Sequence, residues 1–231
     1  MSQLLLAVDT SGKNGNVALA RVTAGRADVE IVESVPLAGG TFSAQLIPQI
    51  SALLDKHGFS KKDLAAFAAV SGPGSFTGLR VGLAAIKGLA EGLQKRIATV
   101  SLLEAVARSG RAGGSVLAAL DAGRTEVYVG DYEIGAEGCD THAHIRSERL
   151  LSREEFLAEA KGKAVVTPES GLAAALNAAG IACELIPYPD IAFIASLGWE
   201  RIQSGNTTAA QELDANYIRR SDAEIFSQPK R

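Results

Sequence analysis

The 231 residues predict an α/β protein built from two related lobes. Short apolar runs alternate with segments whose apolar residues recur at helical spacing, the pattern of strands covered by helices. One unit also occurs twice. The first half opens LLLAVD, then a Thr/Ser/Gly turn, then NVALARV; the second opens VLAALD, then a glycine turn and the alternating strand Glu126–Tyr132. Asp9 and Asp121 hold equivalent places in this weak repeat. Between the two lies Val70–Gly92, which reads as a strand end, a tight turn and one long helix. The expected division is a first lobe at 1–110 and a smaller second lobe at 111–231.

Gln3–Asp9 is a nearly continuous apolar run, as a buried strand requires. A turn at Thr10–Gly15 leads to strands at Asn16–Val22 and Asp28–Val35, and short connections of this kind make an antiparallel meander. Thr41–His57 carries Leu46, Ile47, Ile50, Leu53 and Leu54 at helical spacing, with Pro48 implying a kink near its start. Ala66–Val70 returns to strand, Ile97–Val100 is another, and Ser101 with Glu104 forms a capping-box pattern for the helix that follows. In the second half, Val116–Asp121 and Glu126–Tyr132 are strands around the turn Ala122–Arg124. Ser152 with Glu155 is a second capping box, Lys163–Val166 and Ala182–Leu185 are short strands, and Gly171–Ala179 is a helix. Asp190 starts a last helix that stops at Gly205. Glu133–Ser147 has mixed polarity and no period.

The helix after the Gly72-Pro73-Gly74 turn, expected over Thr77–Gln94, is apolar almost all round. Gly72 and Gly74 admit backbone angles closed to other residues, Pro73 fixes its own φ, and Ser75 or Thr77 can cap the first free N–H groups. Leu79, Leu83, Ile86, Ala90 and Leu93 form a bulky face; Gly78, Gly82, Ala85, Leu89 and Gly92 form one of mostly small residues. Polarity is confined to Arg80, Lys87, Glu91 and Gln94. An ordinary surface helix has one apolar stripe, so this one needs two partners. Either both lie within one domain, or the small-residue face receives a helix of another chain. In a chain this short, the second arrangement is the expected one. The residues expected at such an interface are Leu46, Ile50, Leu53, Gly78, Gly82, Leu83, Ala85, Ile86 and Leu89.

Composition removes several function classes. Hydrophobic residues are 47% and charged residues 21%, enough for a substantial core. A net charge of −3 argues against a primary nucleic-acid surface, which needs clustered Lys and Arg. Arg219, Arg220, Lys230 and Arg231 make only a small basic tail. No signal peptide or membrane-spanning run is expected, and Cys139 and Cys183 lack metal or redox spacing. A cytoplasmic location follows as the simplest expectation.

Candidate chemistry is sparse. An aspartate ending a buried strand before a Ser/Thr/Gly turn can hold a hydrated cation or present N–H groups to phosphate, so Asp9 with Ser11 and Asp121 with Gly123 read as phosphate-loop positions. The same aspartates can equally do no more than close their turns through side-chain to backbone bonds. His142 and His144 lack neighbouring ligands for a metal. Ser75 lacks the spacing of a nucleophile elbow, because Pro73 stands two residues before it, and no histidine base accompanies it. No catalytic residue, metal ligand or cofactor site is expected.

AVDTS at 7–11, SGPGSFTGLRVGLAAIKGLA at 71–90, VSLLEAVA at 100–107, ALDAGRTEVYVGDY at 119–132 and ANYIRR at 215–220 together resemble the TsaB (YeaZ) family. The resemblance covers essentially the whole chain and is densest in the first lobe. It implies the duplicated actin, Hsp70 and sugar-kinase fold, built on a ribonuclease H-like unit. It also implies a non-catalytic dimerisation and scaffold subunit for threonylcarbamoylation of the adenosine beside the anticodon in tRNA. In that scheme the chain pairs with the catalytic subunit TsaD, helps recruit the ATPase TsaE and meets tRNA only through the complex. TsaD carries histidine metal ligands on the helix after its first meander; here that helix begins Thr41-Phe42-Ser43-Ala44-Gln45, with no histidine. A homodimer is expected when the chain is alone. The alternative is a nucleotide-dependent enzyme, an ATPase or kinase, using a cleft between Asp9 and Asp121.

Overall fold

Leu4–Val8 are buried without exception, so the strand they form is covered on both faces and sits inside a sheet. The computed structural model describes residues 2–111, 113–135 and 143–219. That first strand, β1 (Ser2–Asp9), pairs antiparallel with β2 (Gly15–Thr23), which pairs antiparallel with β3 (Val29–Leu37). After α1 (Phe42–Lys56), β4 (Leu64–Gly72) returns to the other side of β1 and runs parallel to it. Following α2 (Phe76–Leu93), β5 (Arg96–Ser101) adds parallel to β4. The order is β3-β2-β1-β4-β5.

The second sheet repeats this plan. After α3 (Leu102–Ser109), β6 (Gly114–Gly123), β7 (Glu126–Ile134) and β8 (Ala143–Ser152) form the antiparallel meander. α4 (Arg153–Glu159) leads to β9 (Ala164–Thr167), parallel to β6, and α5 (Ser170–Ala178) leads to β10 (Glu184–Leu185), parallel to β9. Read from its outer strand, the order is β8-β7-β6-β9-β10, the same as in the first sheet. The weak sequence repeat is thus a structural duplication of the ribonuclease H-like unit, the arrangement of the actin-like fold.

Alternation along the first sheet sorts two layers. Leu4, Leu6, Val8, Val17, Leu19, Phe67 and Ala69 join Leu46, Ile50, Leu53 and Leu54 of α1 and Leu83, Ile86 and Ala90 of α2 in one core. On the other face small residues such as Ala7, Ala18, Ala20 and Ala68 let α6 (Ile191–Ser204) come close. A Cβ on Gly198 would stand 2.3 Å from that of Ala68, so only glycine fits there. Asp190 caps α6 by accepting from the Phe193 N–H at 2.8 Å, and Gly205 ends it at φ +77°. Trp199 and Gln203 fasten it to the β2–β3 hairpin by donating to the Arg26 carbonyl at 3.0 and 2.9 Å. Arg201 ties α6 to Glu104 and to the Thr99 carbonyl.

One compact unit is therefore Met1–Ala105 with Tyr188–Ala215, and the other is Val106–Pro187 with Asn216–Arg231. A single division at 110/111 does not describe this, because 188–215 returns to the first unit to cover its small-residue face. Within the second unit, Leu117, Ala119, Val127, Val129, Phe156, Leu172 and Leu176 form a separate core. Its outer strand β8 includes part of the segment that has no period in sequence. Every residue of β8 is at least partly exposed, and Arg149 holds it to α4 through two bonds to Glu159, at 3.0 and 2.7 Å. An edge strand fastened by ion pairs carries no apolar alternation to read. Cys139, His142, Arg220, Lys230 and Arg231 lie outside the described residues.

Candidate functional site

The turn before α2 is shaped by what it must let pass. Gly72 has φ +124°, and a Cβ on Gly74 would lie 2.4 Å from the Ser11 carbonyl oxygen. The Ser75 N–H donates to that same oxygen at 2.7 Å, and the Ser75 hydroxyl accepts from the Gly78 N–H at 3.3 Å as the N-cap of α2. The glycines that follow continue the groove. A Cβ on Gly78 would meet the Thr10 carbonyl oxygen at 2.1 Å, and one on Gly82 would meet Thr10 Oγ1 at 2.2 Å. Thr10 Oγ1 donates to the Gly78 carbonyl at 2.8 Å. Gly74, Gly78 and Gly82 form the bed on which the end of β1 rests.

The room expected beside Gly78 and Gly82 for a partner helix is therefore already filled by Thr10 and Phe42 of the same unit. Leu46, Ile50, Leu53, Leu83 and Ile86 are likewise buried in the core between α1, α2 and the sheet. Ala85 and Leu89 remain half-buried. Around them lies a stripe of which the face assignment from sequence named only Gly92. Ala84, Gly88 and Gly92 are exposed, Val81 is half-buried, and no atom stands within 4 Å of a Cβ built on Gly88 or Gly92. On α1, which packs beside α2, Ala44, Ile47, Pro48, Ser51 and Ala52 are exposed, Ile47 at 48%. Arg80 and Glu91 border the α2 stripe, and Arg80 lies 3.7 Å over the Phe76 ring.

Each phosphate-loop aspartate closes its own turn. Asp9 Oδ1 accepts from the Ser11 N–H at 2.8 Å and the Ser11 hydroxyl at 2.6 Å. Burial pushes its carboxyl group above the ordinary carboxylate range, against the pull of these two bonds. Asp121 Oδ1 accepts from the Gly123 N–H at 2.9 Å, two residues on, in the same way. The β6–β7 turn lies later than expected: β6 runs to Gly123, and the tip is Arg124 and Thr125, both at positive φ.

The start of α1 does not fit a metal. Gln45 accepts from the Ala38 N–H at 3.1 Å and donates to Thr41, whose hydroxyl donates to the Ala38 carbonyl at 3.2 Å, so these neutral groups already serve the chain's own turn. Among the described residues, no group of three or more His, Cys, Asp or Glu is placed to hold a metal ion, and no helix is long and apolar enough to cross a membrane.

Residues 36–212 match the family described as TsaD, tRNA N6-adenosine threonylcarbamoyltransferase. The chain is similar to the tRNA threonylcarbamoyladenosine biosynthesis protein TsaB of Bacillus subtilis (strain 168), with 35% identity over 130 residues. That alignment covers 56% of this chain and 55% of the relative. The protein of the same name from Escherichia coli (strain K12) is 32% identical over 160 residues, covering 66% and 67%. The solved structure of YeaZ from Pseudomonas aeruginosa superposes with a TM-score of 0.69 at 24% identity, covering 93% of this chain and 99% of that one. With the matched region spanning most of its length, the chain belongs to the TsaB (YeaZ) proteins of the TsaD-type family.

Proposed function

We propose that this chain is a non-catalytic dimerisation and scaffold subunit in threonylcarbamoylation, at N6, of the adenosine beside the anticodon in tRNA. It pairs with TsaD, which performs the transfer, and helps recruit the ATPase TsaE; it meets tRNA only through that complex, in the cytoplasm. The observation that carries this reading is the outer side of α1 and α2, where Ala44, Ile47, Pro48, Ala84, Gly88 and Gly92 are exposed, uncharged and, Ile47 apart, small. Such a face lets another helix approach to backbone distance, and a contiguous exposed apolar patch marks an interaction site. The names of the relatives and the matched family supply the pathway.

Gly88→Glu is the direct test. It adds a bulky charge where nothing opposes it, so the chain folds while TsaD binding falls at least tenfold in isothermal titration. Unchanged affinity in the folded variant would remove this face from the interface. A complex that keeps its activity when this chain is omitted would remove the scaffold role itself.

A further inference from the structure

The second unit holds a polar site that the proposed function does not use, and residues 216–219 are seated in it. By strand alternation Glu126, Tyr128 and Gly130 of β7 point to one face, and Glu148 of β8, directly opposite Gly130, shares that face. Tyr132 is 1% exposed and donates its hydroxyl to Glu148 Oε1, while Asn216 Nδ2 donates to Glu148 Oε2. Three residues further on, Arg219 donates to Glu126 Oε2 and, at 3.4 Å, to the Gly123 carbonyl. The two anchors lie on one face at levels four residues apart along β7, and between them the segment is bent, the Ile218 N–H donating to the Asn216 carbonyl at 3.1 Å. Tyr128 stands between the anchors, half-buried, close enough to Arg219 and Glu126 to feel both charges.

We propose that Asn216–Arg219 is a releasable clasp on the β7–β8 face, locked by Arg219 on Glu126 and hinged at Asn216 on Glu148, and that it shields Tyr128. The preceding residues are anchored apart from it, with Leu213 buried and Ala215 packed on the core of the first unit. Both anchors of the clasp, Asn216 on Glu148 and Arg219 on Glu126, are side-chain bonds outside the strand ladders, so breaking them pulls no strand from the sheet. The Arg219–Glu126 lock is partly exposed, at 24% and 36%, so solvent reaches the pair and screens it more than it would a fully buried one.

Nitration by tetranitromethane, followed residue by residue with mass spectrometry on the full chain, reads the shield directly. Tyr188, 53% exposed and in the first unit, is the internal reference. Arg219→Gln, which leaves the sheet untouched, and Glu126→Gln, which leaves the clasp untouched, each raise the rate at Tyr128 at least fivefold relative to Tyr188. The exchanged pair Arg219→Glu with Glu126→Arg brings the rate back to within twofold of the parent, a rescue that general loosening of the unit does not produce. An unchanged Tyr128 rate in Arg219→Gln, or failure of the exchanged pair to restore it with the circular dichroism of the parent retained, overturns the clasp.

Discussion

Asp9 and Asp121 show how little separates a ligand-binding aspartate from a structural one. Asp9 ends the first strand of its meander, Asp121 stands two residues before the end of its own, and each accepts from the N–H two residues later. For Asp9 the cost of burial exceeds what Ser11 returns, so its folded-state pKa lies above the ordinary 3.8. A group of this kind binds more protons folded than unfolded once the pH passes the unfolded value, so its contribution to stability is present at low pH and is lost as pH rises through the folded pKa. Asp9→Asn keeps an acceptor for Ser11 and removes the buried charge. Its urea midpoint is therefore expected to rise above that of the parent at neutral pH, with the difference closing below about pH 4, where the unfolded carboxyl is itself protonated. On the proposed function, Asp9→Ala and Asp121→Ala leave the transferase rate of the reconstituted complex within a few-fold. A loss of about a thousandfold, roughly 4 kcal/mol of barrier, in variants that assemble normally would favour the nucleotide-dependent enzyme.

At the scale of the element, α2 carries two sets of small residues with opposite consequences. The set at Gly78 and Gly82 is spent inside the unit, where Thr10 and Phe42 fill the space a side chain would need. Gly82→Leu is overpacked and expected to destabilise the chain by about 1–3 kcal/mol or more in urea unfolding, whether or not a partner is present. At Gly88 no atom of the chain is within reach, and replacing a mid-helix glycine there is expected to raise stability by about 0.5–1 kcal/mol. Two glycines six residues apart in one helix thus answer different questions, the first about the fold and the second about association. The same logic removes Leu83 as a probe of the interface, because at 5% exposure its substitution by Glu would unfold the core before testing any contact. α4 offers a simple check of local chemistry: Ser152 and Glu155 complete their capping box at 2.8 and 3.2 Å, and Ser152→Ala is expected to cost about 1 kcal/mol.

For the whole molecule, the proposal predicts competition between two assemblies. An uncharged α1–α2 face is unfavourable in water at about 25 cal/mol per Å² of apolar surface, and a second copy can cover it around a two-fold axis. The isolated chain is expected to sediment as a homodimer that TsaD converts to a heterodimer in a concentration-dependent way. Ile47→Glu, at a site 48% exposed, is expected to weaken both by at least tenfold without lowering the unfolding temperature. Sedimentation of a monomer at high concentration, or a homodimer that binds TsaD intact, would separate the two surfaces.

Local patterns alone determined the strands other than β8, the helices and the duplication, because buried strands and amphipathic helices write their environment into the spacing of apolar residues. The glycines of the SGPGSFTGLRVG run likewise marked a tight turn and a close approach to α2, though not that Thr10 and Ser11 are what comes close. Three things awaited the tertiary structure. β8 is held by Arg149 and Glu159 across an edge, so no period announces it. α6 joins the first unit although it follows the second in the chain, because only contact between Gly198 and Ala68 decides which sheet it covers. The outward face of α2 is Ala84, Gly88 and Gly92 rather than Gly78 and Gly82. A helix with small residues on several sides cannot state from sequence which side is already occupied, and that depends on where the end of β1 comes to rest.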